Sequence, residues 1–362
     1  MKAGDVINGY TILADFTVVG AGLSKWTFAE RGGRQFFIKE FLSPTYPDDA
    51  APGSEKTKAK KRARCAVFEA HHRGMQTALA PLSAYGGNLI VTLDFFRWGA
   101  KYYKVTEKVD AEALGDGGIA ALDLRLQLVL MKSVAHSLKI LHDLRIVHGD
   151  LKPSNVLVKR TELGYTSKLI DFDSSYIAGN PPPPQEIVGT INYYSPELLG
   201  YIQEVGVTPG ELGVASDVFA LGLIYTEFLT GAVPPFDAAT YHEPAVAVRS
   251  GVTLRIPRAR VAPELADLID SMLAADPAHR PTIAAIHAAL MAVRLAPPSA
   301  AAPAPRGALR GRGLGAARRT LTPTSTPTPT GGSGESRVDA APRPSARLVG
   351  KLLRKLTDRP RP

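Results

Sequence analysis

The chain has 362 residues, 45% of them hydrophobic, and a single cysteine, Cys65. This is enough for one large or two medium globular domains, and one cysteine excludes an intramolecular disulfide or a cysteine metal cluster. No signal-peptide pattern follows Met1 and no uncharged apolar run of about 18 residues occurs, so we expect a soluble, cytoplasmic protein without a membrane span.

The net charge of +9 is unevenly distributed. Residues 297–362 hold 13 Lys and Arg against 3 Asp and Glu, which leaves 30 basic and 31 acidic residues in the rest of the chain. The basic character therefore belongs to a tail, and the folded part is nearly neutral. We expect no specific binding of nucleic acid.

The first 40 residues predict β-structure, with strands at 10–19, 25–30 and 35–40. Between the first two strands lie Gly20 and Gly22, and glycines allow a backbone to approach phosphate groups closely. Lys39 follows an apolar stretch at the end of the third strand.

Residues 43–58 are rich in Pro, Asp, Gly and Lys and predict a loop. Apolar spacing then predicts a helix over 60–79 in which Glu69 is the only acid, a strand pair at 89–97 and 101–109, and a long helix at 120–141.

The stretch 146–173 carries the strongest signal. It reads His-Gly-Asp-Leu-Lys-Pro-Ser-Asn from His148, followed by a hairpin pattern and Asp-Phe-Asp from Asp171. The hairpin should bring Asp150, Asn155 and Asp171 together, and their oxygens are ligands of the kind that Mg²⁺ takes beside phosphate. Lys152 can neutralise a phosphoryl group in transfer. The pattern indicates phosphoryl transfer.

These motifs resemble the catalytic loop and the metal-binding Asp-Phe-Gly of eukaryotic-like protein kinases found in bacteria. The resemblance implies an α+β, two-lobed fold over residues 1–295. A small antiparallel β-sheet lobe with one helix spans about 1–108, and a larger, mainly helical lobe spans about 109–295. It further implies ATP as co-substrate, Mg²⁺ or Mn²⁺ as cofactor, and protein serine or threonine as acceptor.

Specific roles follow from the same resemblance. Asp150 accepts the substrate hydroxyl proton, while Asn155 and Asp171 hold the metal. The nucleotide is bound by Gly20 and Gly22, by Lys39 paired with Glu69, and by the hinge residues Glu107 and Val109 beside Thr106.

A second motif resembles the end of a kinase activation segment. It consists of Gly-Thr from Gly189, followed by Ser-Pro-Glu from Ser195. Thr190 is then expected to contact Asp150 and Lys152 and to shape the site for a Ser or Thr hydroxyl. The resemblance also implies an internal Glu197–Arg280 pair and an Asp217 side chain that braces the catalytic loop.

Four positions depart from the family pattern. Lys25 replaces a glycine, Phe37 replaces a small residue expected against adenine, and Asp173 replaces the last glycine of Asp-Phe-Gly. Gly149 replaces the arginine that usually pairs with a phosphorylated activation loop, so we expect activity that does not depend strongly on phosphorylation of residues 174–176.

Two other functions compete with this interpretation. Small-molecule phosphotransferases of the aminoglycoside and choline kinase type also use His-Gly-Asp-Leu, but they lack the Gly-Thr and Ser-Pro-Glu segment and commonly have His where this chain has Lys152. A pseudokinase scaffold would be consistent with Lys25, Phe37 and Asp173. Because Lys39, Asp150, Asn155 and Asp171 are all present, an active protein kinase is favoured.

Residues 296–362 are rich in Pro, Ala, Thr and Arg and predict a disordered tail. Its threonine-rich part, 320–330, is suited equally to autophosphorylation and to the role of a passive linker. A short amphipathic helix at 346–357 is suited to docking on an anionic membrane or a partner protein. Kinases of this type often act opposite a PP2C-type phosphatase, so the resemblance implies one as a partner.

Overall fold

The computed structural model describes residues 1–18, 24–48, 52–85, 87–114, 117–162 and 164–293. Gly20, Gly22 and the predicted tail with its amphipathic helix lie outside these residues. Near the N-terminus a six-stranded antiparallel sheet runs in the order β1-β2-β3-β4-β6-β5. Its strands are β1 (Val6–Ile7), β2 (Tyr10–Ile12), β3 (Ser24–Arg31), β4 (Arg34–Phe41), β5 (Thr92–Trp98) and β6 (Lys101–Glu107).

The β3–β4 hairpin fixes the register of the sheet. Its turn residues Gly32 and Gly33 have φ of 59° and 73°, and a two-residue turn with both φ positive matches the right-handed twist of the flanking strands. The resulting register places Lys39 opposite Lys104 of β6. Directly opposite residues of antiparallel strands share a face of the sheet, so both lysines lie on one face.

Helix α1 (Glu55–Leu79) packs on this sheet. It begins earlier than the predicted residue 60, within the predicted loop, because the Ser54 side chain accepts a hydrogen bond from Thr57 N and caps the helix. Phe68 and Cys65 of α1 join Phe41 and Tyr102 in one core cluster. The first predicted strand is also shorter than expected: β2 ends at Ile12, and Thr17 forms only an isolated bridge.

The remainder is mainly helical. Helix α2 (Leu124–Asp143) starts after the capping side chain of Asp123, later than the predicted residue 120, because residues 118–121 form a 3₁₀ turn. Four strands follow it and form two small two-stranded ladders outside the six-stranded sheet. These ladders pair β7 (Ile146–Val147) with β10 (Tyr176–Ile177) and β8 (Val156–Thr161) with β9 (Gly164–Leu169). The later helices are α3 (Pro196–Ile202), α4 (Ala215–Thr230), α5 (Ala238–Tyr241), α6 (Pro244–Arg249), α7 (Pro263–Met272) and α8 (Ile283–Ala292).

Helix α4 forms the centre of the helical part. Most of its side chains are buried, as its largely apolar sequence requires, and its C-terminus is capped by Gly231, where φ is 84°. Helix α2 packs against α8, and α4 packs against α7. The predicted α+β class, with a β-rich N-terminal sheet and a helical C-terminal part, is confirmed. Within the described ranges, no helix combines the length and the apolar character needed to cross a bilayer.

Candidate active site

The three predicted catalytic residues meet at the loop between β7 and β8, which contains Asp150 and Lys152 and is contacted by Thr190 from the activation segment. The Asp150 carboxylate accepts hydrogen bonds from Lys152 Nζ at 2.7 Å and from the Thr190 backbone N–H at 2.8 Å. Lys152 Nζ also donates to Thr190 Oγ1 at 2.9 Å. Because the carboxylate and the lysine are each held by Thr190, neither depends on the other alone for its orientation.

Asp217, at the start of α4, fixes the backbone of this loop from behind. Its carboxylate accepts the backbone N–H groups of His148 and Gly149 at 2.7 and 3.1 Å, and it contacts His142 Nε2 at 3.0 Å. Hydrogen bonds to a buried carboxylate are strong and directional. The bracing role that the family resemblance implied for Asp217 matches these contacts.

Gly149 allows the segment after Asp173 to lie directly against the catalytic loop. Its φ is +78°, and a Cβ at this position would overlap the carbonyl oxygen of Ser174. Nearby, Ser175 Oγ donates to the His148 carbonyl at 3.0 Å, and Tyr176 pairs with Val147 in the β7–β10 ladder. The start of the activation segment is therefore held by unmodified backbone and side-chain contacts.

Above the loop, four charged side chains converge between the sheet and the Asp-Phe-Asp segment. Lys39 Nζ contacts both Asp171 carboxylate oxygens at 2.9 Å and Asp173 Oδ2 at 2.7 Å. Lys104 Nζ contacts Asp171 Oδ1 at 3.3 Å and donates a short hydrogen bond to Asp173. Burial by itself lowers the pKa of Lys39, but the charges of Asp173 and Asp171 outweigh it and raise that pKa above its usual range.

The predicted Lys39–Glu69 ion pair is not formed, and this expectation is corrected. Glu69 Oε1 instead accepts a hydrogen bond from Tyr102 OH at 2.6 Å. Lys39 has its acidic partners in Asp171 and Asp173. One turn after Glu69, His72 interacts electrostatically with Asp173, Lys104 and Lys39, and burial lowers its pKa to about 3.

Aromatic side chains cover the sheet face that carries Lys39. The Phe37 ring stacks on Trp26 at a centroid distance of 5.5 Å and meets Phe28 edge-on at 6.3 Å. Phe37 also lies opposite Thr106 in the sheet register. The prediction that Phe37 and Lys39 share a face therefore agrees with the register.

The predicted hinge follows directly from β6. Thr106 is buried, and Glu107 is the last residue of the strand and is exposed. Val109 lies two residues further on, and its carbonyl accepts a hydrogen bond from Ala111 N at 3.0 Å. The backbone here runs from the sheet towards the helical part, as a hinge requires.

Asn155 and Asp171, the predicted metal ligands, have donor atoms that suit Mg²⁺. The Asn155 amide nitrogen donates to the Asp150 carbonyl at 2.7 Å, which leaves the amide oxygen for another partner. Asp171 is the most exposed of the four clustered charges, with 31% of its side chain accessible. Carboxylate and amide oxygens are the hard ligands that Mg²⁺ prefers.

Far from the cleft, Glu197 and Arg280 form the internal pair implied by the resemblance. Arg280 Nη1 and Nη2 donate to the two Glu197 carboxylate oxygens at 2.7 and 2.9 Å, and both side chains are buried. The arginine also donates to three backbone carbonyls. The pair joins the end of the activation segment to the segment between α7 and α8.

Comparison with known proteins identifies the family. The protein kinase domain model matches residues 61–290, which is well over half of the chain. The chain belongs to the protein kinase family. The matched region contains the catalytic loop, Asp171, Thr190, Glu197 and Arg280, whereas Lys39 lies before it.

Several serine/threonine kinases are similar to part of this protein kinase. A rice calcium and calcium/calmodulin-dependent serine/threonine-protein kinase is 32% identical over 155 residues, covering 42% of this chain and 28% of the relative. The serine/threonine-protein kinase ULK3 of Xenopus laevis is 31% identical over 157 residues, covering 43% and 31%. A bacterial one, the serine/threonine-protein kinases drp72 of Corynebacterium efficiens, is 33% identical over 180 residues, covering 49% and 32%. The chain thus aligns with about a third or less of each relative's length.

Two features of this kinase site were missed from the sequence. Lys104 was not singled out, although it lies two residues before Thr106 in the same strand, and a period of two places both on one face. The partnership of Asp173 with Lys39 was also missed, because Asp173 was considered only as a replacement for glycine. The strand register was the signal that could have found Lys104.

Proposed function

We propose that this chain is an ATP-dependent protein kinase that transfers the γ-phosphoryl group of MgATP to serine or threonine hydroxyls of proteins, including its own. The observation that carries the proposal is the triangle of contacts among Asp150, Lys152 and Thr190, with distances of 2.7–2.9 Å. It supplies a base and a cation in fixed positions, which is what transfer to a hydroxyl needs.

In this mechanism Asp150 orients the acceptor hydroxyl and takes its proton. The hydroxyl oxygen forms a bond to the γ-phosphorus while the bond from phosphorus to the β–γ bridging oxygen breaks, and ADP leaves. Lys152 lies beside Asp150 and neutralises charge on the phosphoryl group during transfer. Asp171 and Asn155 would hold Mg²⁺ or Mn²⁺, which when bound neutralises charge on the nucleotide phosphates.

The nucleotide-binding part of the proposal rests on Lys39 and on the hinge. Lys39 reaches the cleft beside Asp171 and is suited to contact the nucleotide phosphates, while the backbone of Glu107 and Val109 is suited to bond adenine. Gly20 and Gly22 are proposed to cover the phosphates and lie outside the described residues. Glu69 is not retained as the ion-pair partner of Lys39, because it bonds to Tyr102.

Transfer from labelled ATP tests this function. Wild type, Lys39→Met and Asp150→Asn are offered three acceptors: the protein itself, a generic protein substrate and an aminoglycoside. Asp143→Asn, a change at a surface carboxylate that pairs with Lys139, is the matched control. We expect protein labelling in wild type and control, and its loss in both active-site variants. Labelling only of the aminoglycoside would indicate a small-molecule phosphotransferase, and no labelling would indicate a pseudokinase scaffold.

The partners belong to the same proposal. Protein substrates follow from the acceptor chemistry, and the family resemblance adds an opposing PP2C-type phosphatase. Removal of label from the autophosphorylated protein by a Mn²⁺-dependent PP2C-type phosphatase tests this phosphatase partnership.

We also propose a cytoplasmic location, with the basic tail docking on an anionic membrane or a partner. Vesicle sedimentation with and without residues 296–362 tests that docking.

A further inference from the structure

The charge cluster above the catalytic loop consists of Lys39, Lys104, Asp171 and Asp173, and these four side chains differ in how exposed they are. The accessible fraction of the side chain rises from 5% for Lys104 and 12% for Lys39 to 19% for Asp173 and 31% for Asp171. Lys104 therefore lies deepest and Asp171 faces the cleft. Asp173 lies between the two lysines and contacts both, through Oδ1 to Lys104 and Oδ2 to Lys39.

Helix α1 supplies no carboxylate to this cluster. Of its two acids, Glu55, at the start of the helix, pairs with Lys58, and Glu69 is engaged by Tyr102. One turn later, His72 is packed among Phe41, Phe68 and Phe95 at ring distances of 4.3–4.8 Å, and is neutral at physiological pH because burial lowers its pKa to about 3. His71, next to it, contacts the backbone oxygen of Asp173 at 3.3 Å rather than a lysine.

Asp173 takes its position without backbone strain. It lies within a 3₁₀ turn over Phe172–Ser174, and the positive φ of this segment, 66°, belongs to Asp171. Glycine is needed only where φ is positive or a neighbour is too close. A side chain at position 173 is thus available for a contact, and it points at the two lysines.

Asp171 cannot serve as the permanent partner of Lys39 if it also binds the metal. A carboxylate that coordinates Mg²⁺ offers less charge to a lysine, so Lys39 would lose much of its anchoring when the metal binds. Asp173 has no such second role. It keeps one carboxylate oxygen on Lys39 and the other on Lys104, which holds it from the rear.

We propose that Asp173 replaces the helix glutamate of other protein kinases as the carboxylate that positions Lys39, and that Lys104 fixes Asp173 in that position. This rests on the proposed kinase function for its catalytic consequence. Asp173 and Lys104 are positioning residues, because they act through Lys39 and not on the nucleotide.

The first test needs no nucleotide. Lysine labelling by an amine-selective reagent at pH 9, read out by mass spectrometry, reports how firmly the Lys39 amine is held by its contacts. Asp173→Asn weakens a charged contact that holds the Lys39 amine in place, so it should increase the labelling rate of Lys39 about tenfold. Glu69→Gln, the same acid-to-amide change on α1, should leave it unchanged.

The second test is turnover. We expect Asp173→Asn and Lys104→Gln each to lower kcat about tenfold or more, which is the effect of losing one charge-assisted contact in the transition state. The double variant should be no slower than the slower single variant, because both changes break one chain of contacts. Glu69→Gln and Lys101→Met should stay within about twofold of wild type. If Asp173→Asn does not fold, the double variant with Asp173→Asn and Lys104→Gln, which keeps the net charge of wild type, replaces it in both tests.

Three results would overturn the proposal: a larger loss for Glu69→Gln than for Asp173→Asn, wild-type labelling and turnover in Asp173→Asn, or single-variant losses that multiply in the double variant. A wild-type protein that transfers phosphoryl to no acceptor contradicts the proposed function instead. In that case the labelling experiment alone decides whether Asp173 positions Lys39.

Discussion

Gly149 and Ser174 lie so close that no side chain fits between them, because a Cβ on Gly149 would overlap the Ser174 carbonyl oxygen. Gly149, which stands where the family usually has an arginine, is therefore required by packing. Because Gly149 has no side chain, the activation segment docks directly on the catalytic loop. The family more often holds this segment through a phosphate that pairs with an arginine.

Gly149→Ala should destabilise the protein by about 2–5 kcal/mol, since it combines the left-handed backbone penalty with overpacking. Gly251→Ala is the matched control: its φ is +94° and nothing lies within 4 Å of the added Cβ, so it isolates the backbone penalty. Urea unfolding measures both. Equal losses in the two variants would show that the contact with Ser174 does not matter.

Phosphorylation of the segment after Asp173 should not be needed for activity. Ser175 and Tyr176 are buried, and Ser174 Oγ already donates to the Val188 carbonyl at 2.7 Å. Ser174→Ala should retain kcat within about threefold, since it removes one partly exposed hydrogen bond. The triple replacement with Ala at 174 and 175 and Phe at 176 should also remain active. Loss of turnover in a folded triple variant, measured against phosphatase-treated wild type, would contradict this.

Glu197→Gln should lower the free energy of unfolding by about 3–5 kcal/mol, because it leaves the buried Arg280 guanidinium without its counter-charge. Asp267→Asn breaks the exposed contact with Arg258 and should leave the melting temperature unchanged. Thermal unfolding of both variants provides the comparison. Similar shifts would mean that the internal pair contributes no more than a surface one.

Stability should fall with acid partly through His72. Burial lowers its pKa from an ordinary 6.5 to about 3, an effect opposed by Asp173 and reinforced by Lys104. Between these values the unfolded chain binds a proton that the folded chain does not, so stability is lost as pH falls below about 6.5, by about 2 kcal/mol at pH 5. His72→Phe should flatten this part of the pH profile measured by urea unfolding. His279→Gln, a change at an exposed histidine, is the control and should leave the profile unchanged. A His72→Phe profile parallel to that of wild type would show that His72 is not the group responsible.

Phe37→Ala should strengthen nucleotide binding, because it removes the ring that stacks on Trp26 where the family keeps a small residue. We expect an about tenfold lower Kd for ADP by calorimetry, equivalent to about 1.4 kcal/mol. Trp98→Ala, at the exposed end of β5, is the control. Weaker binding by Phe37→Ala would mean that the ring stacks on the nucleotide base instead of occupying its place.

Much of the fold and of the catalytic loop could be predicted, because the relevant signals are local. The Gly32–Gly33 turn sets a hairpin, and the order of Asp150, Lys152 and Asn155 within six residues brings their side chains to one loop. The start of α1 was placed too late because the Ser54 cap lies inside a segment whose composition indicates a loop.

The partners of Lys39 could not be predicted in the same way. They depend on how a helix is rotated against a sheet, and composition does not fix that rotation. Glu69 was selected as the only acid in the predicted helix 60–79, yet the rotation of α1 turns it towards Tyr102 and brings His71 and His72 to the cluster. The acids that do reach Lys39, Asp171 and Asp173, are 132 and 134 residues away in sequence.

Trp26, Phe28 and Phe37 form an aromatic cluster in which Phe37 stacks on Trp26 and Phe28 meets both rings edge-on, and this cluster has a consequence for inhibitor chemistry. Flat heterocyclic drugs that enter kinases with a small side chain at the Phe37 position will meet an aromatic surface in this protein. We therefore expect those scaffolds to bind this protein weakly, and a ligand shaped to the three rings to favour it over kinases with a small side chain at that position.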